Sequence, residues 1–531
     1  MATAIRRAIS TPATQTERDD PRQVKNAAGG YVFQVNDRSR LERFLILGTD
    51  GGTYYVSEKD LTKQNLTAID DIIVRDPEMA MGVIRDVSTT GRAYQNTAAI
   101  YAAARVICSC GEALKPQARQ LVNAVCRTST HVFEFCGFID NMGGWGPAKR
   151  NALRAWYESK KPESLKYQAV KYRGGRYGWT HRDVLRTVHP VGLDQRTGDF
   201  MLGKNVVQGS LPGDIIDGFM LVQSARNLDD VLAALASCPE LPWETVPTQY
   251  LREPEIWTTL FYNGQLKGQA LLRNIRRMDE IGCFNDLIFA RDVAEALVDP
   301  VMVGGTRLHP IQYLNAMGAN GLLDSPRDGF SWERLGNVKK MASGPVVDAL
   351  EEGMYVAFGS VSDPQRYLLG VDVSASMTWA GPAGLKNVTC AQAAAVMAMV
   401  TARANKASMI RGFSTTFKDL GITGRTSLKS AFEKVEKNAF GGTDCSLPMK
   451  WARKNSIAVD KFVIYTDNET WAGRTHVHRE LKEYRQTMGT PAKLIVVGMT
   501  ATRGSIADSD DHGTLDVVGF DASTPRIIAE F

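Results

Sequence analysis

Five oxygen-bearing side chains in the last third of the sequence have the types and spacing of a metal site. An aspartate and two serines alternate at the end of a short apolar run, a threonine follows in a glycine-rich loop, and a second aspartate ends another apolar run. These residues are Asp372, Ser374, Ser376, Thr443 and Asp467. Carboxylate and hydroxyl oxygens, without sulfur or imidazole, suit a hard divalent cation. The set predicts one Mg²⁺ site, for which Mn²⁺ or Ca²⁺ would be less suitable occupants.

The same residues allow other interpretations. Asp-x-Ser-x-Ser is a common string, and Ser374 and Ser376 could merely cap the helix that follows. A phosphoryl-transfer or nuclease site would use more carboxylates, and a base, than Asp372 and Asp467 provide. Ser374 has no adjacent histidine and no Gly-x-Ser-x-Gly elbow, and the chain contains no P-loop. We therefore predict a cation-binding site without catalytic residues, in a protein that is not an enzyme.

A second group of candidate residues lies between Lys149 and His189, where basic side chains far outnumber acidic ones and Trp and Tyr are interleaved with them. Lysine and arginine neutralise phosphates, and aromatic rings stack on unpaired bases, so this composition favours RNA binding. The alternative is a solvated helix face whose aromatic residues belong to the core. The basic residues are Lys149, Arg150, Arg154, Lys160, Lys161, Lys166, Lys171, Arg173, Arg176, Arg182 and Arg186.

Length and composition limit the class of protein to which these candidate residues can belong. A chain of 531 residues exceeds what one core usually serves, so we expect two domains or one domain plus a solenoid. The net charge of +5 is too small to argue for nucleic acid by itself. The eight cysteines are dispersed through predicted helices, which is typical of free thiols and not of a disulfide framework or a zinc site. Without a long apolar run or a secretory signal, we expect a cytoplasmic protein.

Two kinds of element must position the candidate residues. From Arg38 to about Leu350, apolar residues recur at three- and four-residue spacing, which predicts helix after helix. So many amphipathic helices favour an α-helical repeat stacked as a solenoid, although the sequence contains no clean repeat. After Gly359, short apolar runs alternate with helical stretches, which predicts a parallel sheet in a doubly wound α/β fold.

The predicted domains follow from this change of pattern. Residues 1–28 lack apolar periodicity and are expected to form a mobile arm, residues 29–360 a helical module, and residues 361–531 an α/β domain. Ligand sites in open parallel sheets gather at the carboxyl ends of the strands. Because Asp372 and Asp467 each end a predicted strand, we expect the metal site at that edge.

Five unusual strings occur along the chain: Leu41-Glu-Arg-Phe-Leu-Ile-Leu-Gly48, Gly51-Gly-Thr-Tyr-Tyr55, Gly178-Trp-Thr-His-Arg-Asp183, Gly441-Gly-Thr-Asp-Cys445 and Thr466-Asp-Asn-Glu-Thr470. They resemble the Ro autoantigen family, the TROVE-module ring proteins, over nearly everything after residue 29, and the chain looks like a bacterial member. The resemblance implies a multidomain protein: a closed all-α ring of HEAT-like helical repeats plus a doubly wound, Rossmann-like von Willebrand factor A domain.

The resemblance also bears on the metal ligands. Their spacing is similar to the metal-ion-dependent adhesion site of von Willebrand A domains. This similarity implies that Asp372, Ser374, Ser376 and Thr443 lie at or next to the cation, with Asp467 bound directly or through water. In such domains the metal often keeps one position open for an oxygen of a partner.

What the chain binds is implied by the resemblance as well. Family members bind small noncoding Y RNAs on the outer ring surface and single-stranded 3′ ends of misfolded or immature RNAs in the central hole. Bacterial relatives act beside 3′-to-5′ exoribonucleases. The matching positions for Y RNA are Lys149, Arg150, Lys171, Arg176, His181 and Arg182, to which the basic segment adds Arg173 and Arg186. The stretch from Arg173 to Tyr177, with its two glycines, departs from the family pattern.

Two functional hypotheses result. The first is a non-catalytic RNA-binding ring that acts in RNA quality control and rRNA maturation; it would be monomeric, with larger assemblies left open when RNA is bound. The second is a protein-interaction adaptor whose cation site binds an acidic partner, with a purely structural basic segment. Steeply salt-dependent binding of an RNA with a single-stranded 3′ tail would separate the two.

Overall fold

The structure is a computed structural model that describes residues 13–48, 56–207, 213–323, 341, 343–359, 361–379, 385, 388–439 and 441–531. By internal contacts the chain divides into two compact units. The helical unit comprises Phe44–Ile46 and Leu66–Phe358, and the α/β unit comprises Met1–Arg43, Leu47–Asn65 and Gly359–Phe531, each within the described ranges. The described cysteines, which include all eight, are free thiols, as predicted. No described helix has both the length and the apolar character needed to cross a bilayer.

The helical unit is built from α-helices and short 3-10 turns, and the division between the units passes through its first two helices. The helices are α1 (Asp37–Leu47), α2 (Glu58–Arg75), α3 (Pro77–Thr90), α4 (Thr97–Ser109), α5 (Lys115–Val125), α6 (Ser129–Asn141), α7 (Pro147–Glu158), α8 (Pro162–Lys171), α9 (His181–Val188), α10 (Gln195–Met201), α11 (Ile215–Ser224), α12 (Leu228–Ser237), α13 (Pro254–Tyr262), α14 (Gln269–Glu280), α15 (Leu287–Val298), α16 (Pro300–Gly305), α17 (Pro310–Ala319) and α18 (Gly344–Phe358). The 3-10 turns are Glu112–Leu114, Trp243–Thr245, Tyr250–Arg252 and Cys283–Asn285.

Packing in the helical unit is mostly between helices that are close in sequence. Helix α3 contacts α4 and α5, α4 contacts α6, and α5 contacts α7. This serial packing buries one apolar face of each helix, for example Ala99, Ile100, Ala103 and Ile107 of α4. It is the arrangement expected of a helical repeat, in which each helix rests on its neighbours along the chain. The predicted class of the helical module is therefore confirmed.

Helix α9, which carries part of the basic segment, begins at a capping box. The Thr180 hydroxyl accepts a hydrogen bond from the Asp183 amide, and the Asp183 carboxylate accepts one from the Thr180 amide at 3.0 Å. Such reciprocal capping satisfies two amides that a helix start otherwise leaves without partners. The cap fixes the helix so that Val184 and Val188 face the core.

The α/β unit contains the predicted parallel sheet, which is confirmed. Its strands are β1 (Gln23–Lys25), β2 (Tyr31–Gln34), β3 (Tyr367–Asp372), β4 (Ser408–Phe413), β5 (Phe417–Asp419), β6 (Lys461–Thr466), β7 (Lys493–Gly498), β8 (Gly504–Ser505) and β9 (Thr514–Val518). The order in the main sheet is β5-β4-β3-β6-β7-β9, in which only the edge strand β5 is antiparallel among the described strands. A small antiparallel sheet has the order β1-β2-β8.

Helices cover both faces of the main sheet. They are α19 (Ala375–Trp379), α20 (Cys390–Ala404), α21 (Leu428–Lys437), α22 (Leu447–Lys454), α23 (Val477–Met488) and α24 (Thr524–Glu530). Helix α20 is buried against β3, β4 and β6, while α22 and α23 contribute Met449, Leu481 and Tyr484 to a cluster that also contains Phe462 and Leu494 of the sheet. Burial on both faces explains the continuous apolar runs of β3 and β6.

The N-terminal residues differ from the mobile arm predicted for residues 1–28. Of these, 1–12 lie outside the described residues, but the chain from residue 13 onward packs into the α/β unit. Strand β1 pairs with β2, β2 pairs with β8, and Val32 joins the core cluster of the main sheet. The amide of Gln15 donates to the carbonyl of Gly473 at 2.9 Å. These contacts are largely backbone hydrogen bonds, which leave no apolar periodicity in the sequence.

Candidate functional site

Neighbouring parallel strands bring the two candidate aspartates to the same edge of the main sheet. Strands β3 and β6 pair in register, with Val371 opposite Tyr465. Asp372 is the last residue of β3, and Asp467 follows the last residue of β6. The Thr466 hydroxyl donates to Asp372 Oδ2 at 2.6 Å and ties the two strand ends together. Both carboxylates are buried.

The two serines lie in the turn that leaves β3. The Ser374 amide donates to Asp372 Oδ1 at 2.9 Å, which folds the turn back over the strand end. The hydroxyl oxygens of Ser374 and Ser376 are 3.1 Å apart. The Ser376 hydroxyl also has a hydrogen-bonding interaction with the carboxyl of Asp467. Both serines are buried, so their hydroxyls are directed into the site and not into solvent.

Thr443 lies in a loop that is fastened to both of the other segments. The Ala375 amide donates to the Gly441 carbonyl at 3.3 Å, which joins this loop to the serine turn. The Thr443 carbonyl accepts from the amides of Trp471 and Ala472, each at 3.0 Å, which joins it to the loop after β6. The Thr443 side-chain oxygen is buried and has no hydrogen-bond partner in the described part of the chain. The structure thus brings together the three segments that carry the five predicted residues.

The electrostatics of this site favour a bound cation. Burial, followed by the charge of Asp467, raises the pKa of Asp372 to about 7, despite hydrogen bonds from Ser374 and Thr466 that lower it. Burial also raises the pKa of Asp467, against hydrogen bonds from the Glu469 amide and Ser376 that lower it. Two buried carboxylates at close range are costly unless a proton or a cation balances them. The unpartnered Thr443 hydroxyl and the two carboxylates therefore fit a hard divalent ion.

Hydroxyl donors are essential to this interpretation. Among the described residues, no group of three or more His, Cys, Asp or Glu side chains could hold a metal. Two carboxylates and three hydroxyls are consistent with Mg²⁺, which is usually bound by few carboxylates. The ion itself stays a prediction.

Two polar residues that the sequence analysis did not single out border the site. Glu469 is buried two residues after Asp467; burial, followed by the charge of Asp467, raises its pKa to about 8, and its Oε2 accepts from the Ala28 amide at 2.9 Å. Gln15 is buried and donates to Asp444 Oδ1 at 2.9 Å. The acidic residues at the alternate positions 467 and 469 were a signal for Glu469, whereas no local pattern in the sequence indicates Gln15.

The basic segment spans α7, α8, a connecting loop and α9, all in the helical unit. Three of its predicted residues, Arg150, Arg182 and Arg186, are exposed, and their side chains have no ion-pair or hydrogen-bond partner among the residues that the structure describes. Arg176, in the loop, is also exposed. An exposed guanidinium without an internal partner is free to contact a phosphate.

Other predicted residues of the segment have internal contacts. Lys149 Nζ donates to the Gly144 carbonyl at 2.6 Å. Lys171 is half-buried, with its Nζ 3.3 Å from the Tyr167 hydroxyl and 3.5 Å from the Glu244 carboxylate. The Arg173 guanidinium lies over the rings of Phe200 and Phe219, 5.1 Å from each centroid. These cations are held in place by the fold.

The sequence predicts that His181 contacts RNA, but the structure places this residue in the core. Its side chain is 3% exposed, its Nδ1 is 2.9 Å from the Tyr157 hydroxyl, and its ring packs edge-on against Phe133. Burial lowers its pKa to about 4, so the ring is neutral at physiological pH. At the first position of α9 it shares the inward face with Val184 and Val188, and the prediction of a surface position for it is wrong.

Comparisons with known proteins give matches along nearly the whole chain. The family model described as the Ro60 vWA domain matches residues 366–531, and the one described as the TROVE domain matches residues 24–207 and 237–325. A Deinococcus radiodurans protein named RNA-binding protein RO60 is 38% identical over 527 residues, which cover 97% of this chain and 96% of that protein. A Caenorhabditis elegans protein of the same name is 30% identical over 601 residues, which cover 97% of this chain and 91% of that protein.

A solved structure is similar as well. The crystal structure of the D. radiodurans Ro (RSR) protein matches with a TM-score of 0.66 and 35% sequence identity, and the match covers 93% of this chain and 99% of that one. The helical unit and the α/β unit therefore both have counterparts in proteins of this kind.

Proposed function

Because the chain belongs to the Ro60 family, which joins a TROVE domain to a von Willebrand factor A domain, we propose that it binds RNA through its helical unit and works without catalysis. The names of both relatives state RNA binding. The observation that carries the proposal to this chain is the set of exposed guanidinium groups on α7 and α9, which have no partners in the described part of the chain.

The geometry of α9 supports binding to phosphates. Arg182 and Arg186 are four residues apart, so they project from the same face of the helix, opposite the face that buries Val184 and Val188. Two cations at this spacing can neutralise phosphates along a nucleic-acid backbone. Such contacts provide affinity and orientation but do not read sequence.

A finer assignment rests on the family resemblance. In this assignment, Y RNA binds the outer surface of a closed ring, and single-stranded 3′ ends of misfolded or immature RNAs enter its central hole. The protein would then present RNA to a 3′-to-5′ exoribonuclease in the cytoplasm, in RNA quality control and rRNA maturation, as a monomer.

The cation site has a proposed role in the α/β unit. Asp372 and Asp467 would supply the negative charge, and Ser374, Ser376 and Thr443 the neutral oxygens, that hold one divalent cation, most suitably Mg²⁺. When bound, the ion would offer a coordination position to an oxygen of a partner. The converged oxygens are also what favours the second candidate function, an adaptor that binds an acidic partner through this cation.

Binding of an RNA that has a free 3′ end tests the proposal. The full-length protein is titrated with a structured RNA that carries a single-stranded 3′ tail and with the same RNA without the tail, at several salt concentrations. We expect tighter binding of the tailed RNA and a steep loss of affinity as salt rises. Absence of binding to both RNAs at moderate salt would contradict the proposal and leave the adaptor function.

A further inference from the structure

The loop between α8 and α9 ends in a tight turn with an aromatic residue at its tip. The amide of Arg176 donates to the carbonyl of Trp179, and the amide of Trp179 donates to the carbonyl of Arg176, both at 2.8 Å. The central residues Tyr177 and Gly178 have φ values of 53° and 78°. Left-handed backbone at both central positions defines a type I′ turn, which usually takes Asn or Gly at its first central position. A bulky tyrosine there is uncommon, and such outliers concentrate at functional sites.

The turn stands on a rigid base. The rings of Trp145 and Trp179 are 5.2 Å apart, and both indole N–H groups donate to the carboxylate of Asp140, at 3.0 Å and 2.8 Å. Gly175 has a φ of 68°, and a Cβ at this position would lie 2.4 Å from the Trp179 carbonyl oxygen, so no larger residue fits. These contacts fix the direction in which the turn leaves the surface.

The ring of Tyr177 is held in place and yet open to solvent. Its hydroxyl has a hydrogen-bonding interaction with the buried carboxyl of Glu134, on α6. Its Cβ lies directly over Gly137 of the same helix, where an added Cβ would be 3.4 Å away. The residue is nevertheless 54% exposed. A ring that is ordered before binding loses little conformational entropy when a ligand stacks on it.

A cationic side chain borders this ring. Arg176 is exposed in the same turn, and its charge acts on the Tyr177 hydroxyl and on the Glu134 carboxyl. The acidic groups nearby are occupied, since Glu134 is buried beneath the ring and Asp140 binds the two indoles. An exposed aromatic face beside an exposed cation is an arrangement that binds single-stranded nucleic acids, with a base on the ring and a phosphate on the cation.

We propose that Tyr177 is a stacking platform for one unpaired nucleobase and that Arg176 contacts an adjacent phosphate of the same strand. This inference rests on the proposed RNA-binding function and assigns to it a specific subsite for an unpaired nucleotide.

The test measures RNA affinity over a range of salt concentrations for matched variants of the full-length protein. We expect Tyr177→Ala to weaken binding of the tailed RNA about tenfold with an unchanged salt slope, because stacking is not an ionic interaction. Tyr177→Gly, which relieves the positive φ and keeps the turn, should lose affinity to the same extent. Tyr177→Phe keeps the ring and should stay within about threefold of the unchanged protein. Arg176→Ala should instead make the salt slope shallower by about 0.7.

The control is Tyr262→Ala. Tyr262 is 57% exposed and its hydroxyl donates to Asp292 Oδ2 at 2.6 Å, so it matches Tyr177 in exposure and anchoring, but no basic residue of the predicted set accompanies it. Its replacement should leave RNA affinity unchanged. Ultraviolet crosslinking followed by mass spectrometry should join the Tyr177 peptide to a nucleotide in the single-stranded region.

Three results would overturn the platform. Unchanged affinity of Tyr177→Ala and Tyr177→Gly, while the unchanged protein binds RNA, would remove it and leave the proposed function intact. Equal losses for Tyr177→Phe and Tyr177→Ala would assign the effect to the Glu134 interaction and thus to a structural role. Failure of the unchanged protein to bind RNA would remove the platform together with the proposed function.

Discussion

At the scale of single residues, burial distinguishes neighbouring basic residues that would be grouped together by residue type alone. His181 and Arg182 are adjacent in the basic segment, but His181 is buried and neutral while Arg182 is exposed. The sequence contains the reason, because His181, Val184, Leu185 and Val188 share one face of α9. Helical periodicity of the apolar residues therefore predicts which basic residues can reach RNA better than charge density does.

The raised pKa of the Asp372 carboxyl lets us predict how the stability of the protein depends on pH and on Mg²⁺. In the absence of metal its pKa is raised to about 7, so between about pH 4 and pH 7 the folded state binds a proton that the unfolded state releases. The free energy of unfolding should therefore fall as pH rises through this window. Added Mg²⁺ should raise the melting temperature by about a few degrees at pH 8 and by much less at pH 5, because protons compete with the cation.

Asp372→Asn provides the matched variant. The amide keeps the shape but not the charge, so it should abolish the stabilisation by Mg²⁺ and flatten the dependence on pH. Asp419→Asn, an exposed aspartate on β5, serves as the control and should respond to Mg²⁺ like the unchanged protein. Stabilisation of Asp372→Asn by Mg²⁺ equal to that of the unchanged protein would place the cation elsewhere.

At the scale of elements, the N-terminal segment fastens the loops that carry the site. The Gln15 side chain donates to Asp444 Oδ1 and to the Thr475 carbonyl, both at 2.9 Å, and accepts from the Gly473 amide at 3.2 Å and from the Thr470 hydroxyl. One amide thus connects the loop of Thr443 with the loop that follows β6. Because the amide is buried, each of these partners would lose its hydrogen bond without gaining water.

Gln15→Ala should therefore lower the free energy of unfolding by about 2 kcal/mol. It should also weaken Mg²⁺ binding, since the loops would be less well ordered. Urea unfolding and a Mg²⁺ titration of melting temperature measure the two effects. Gln34→Ala removes an exposed amide from the same segment and should cost almost nothing. Equal effects of the two substitutions would mean that Gln15 does not hold the loops.

Most elements could be predicted because apolar periodicity dictates them. Helices such as α4 and buried strands such as β3 and β6 follow from spacing alone. Strands β1 and β8 could not be found in this way, because they are short and held by backbone pairing. Every residue type can form backbone hydrogen bonds, except that proline cannot donate one. Pairing through the backbone therefore leaves little trace in a sequence.

At the scale of the whole molecule, the sequence predicts a helical module followed by a doubly wound domain, and both are present. The convergence of the five oxygens could also be anticipated, since carboxyl ends of adjacent parallel strands meet at one edge. The roles of Gln15 and Glu469 could not, because they depend on contacts between segments that are distant in sequence. The turn of Tyr177 could not be predicted either, because a tyrosine at a position with positive φ is not expected from its residue type.

The salt dependence of RNA binding by two arginine variants tests the central claim most directly. The dissociation constant is measured against salt concentration for the unchanged protein, for the Arg182→Ala/Arg186→Ala double variant, and for Arg291→Ala, an exposed arginine of α15 paired with Glu295. We expect weaker binding and a slope shallower by about 1.5 for the double variant, and no change for Arg291→Ala. A double variant with the affinity and slope of the unchanged protein would contradict RNA binding through the basic segment.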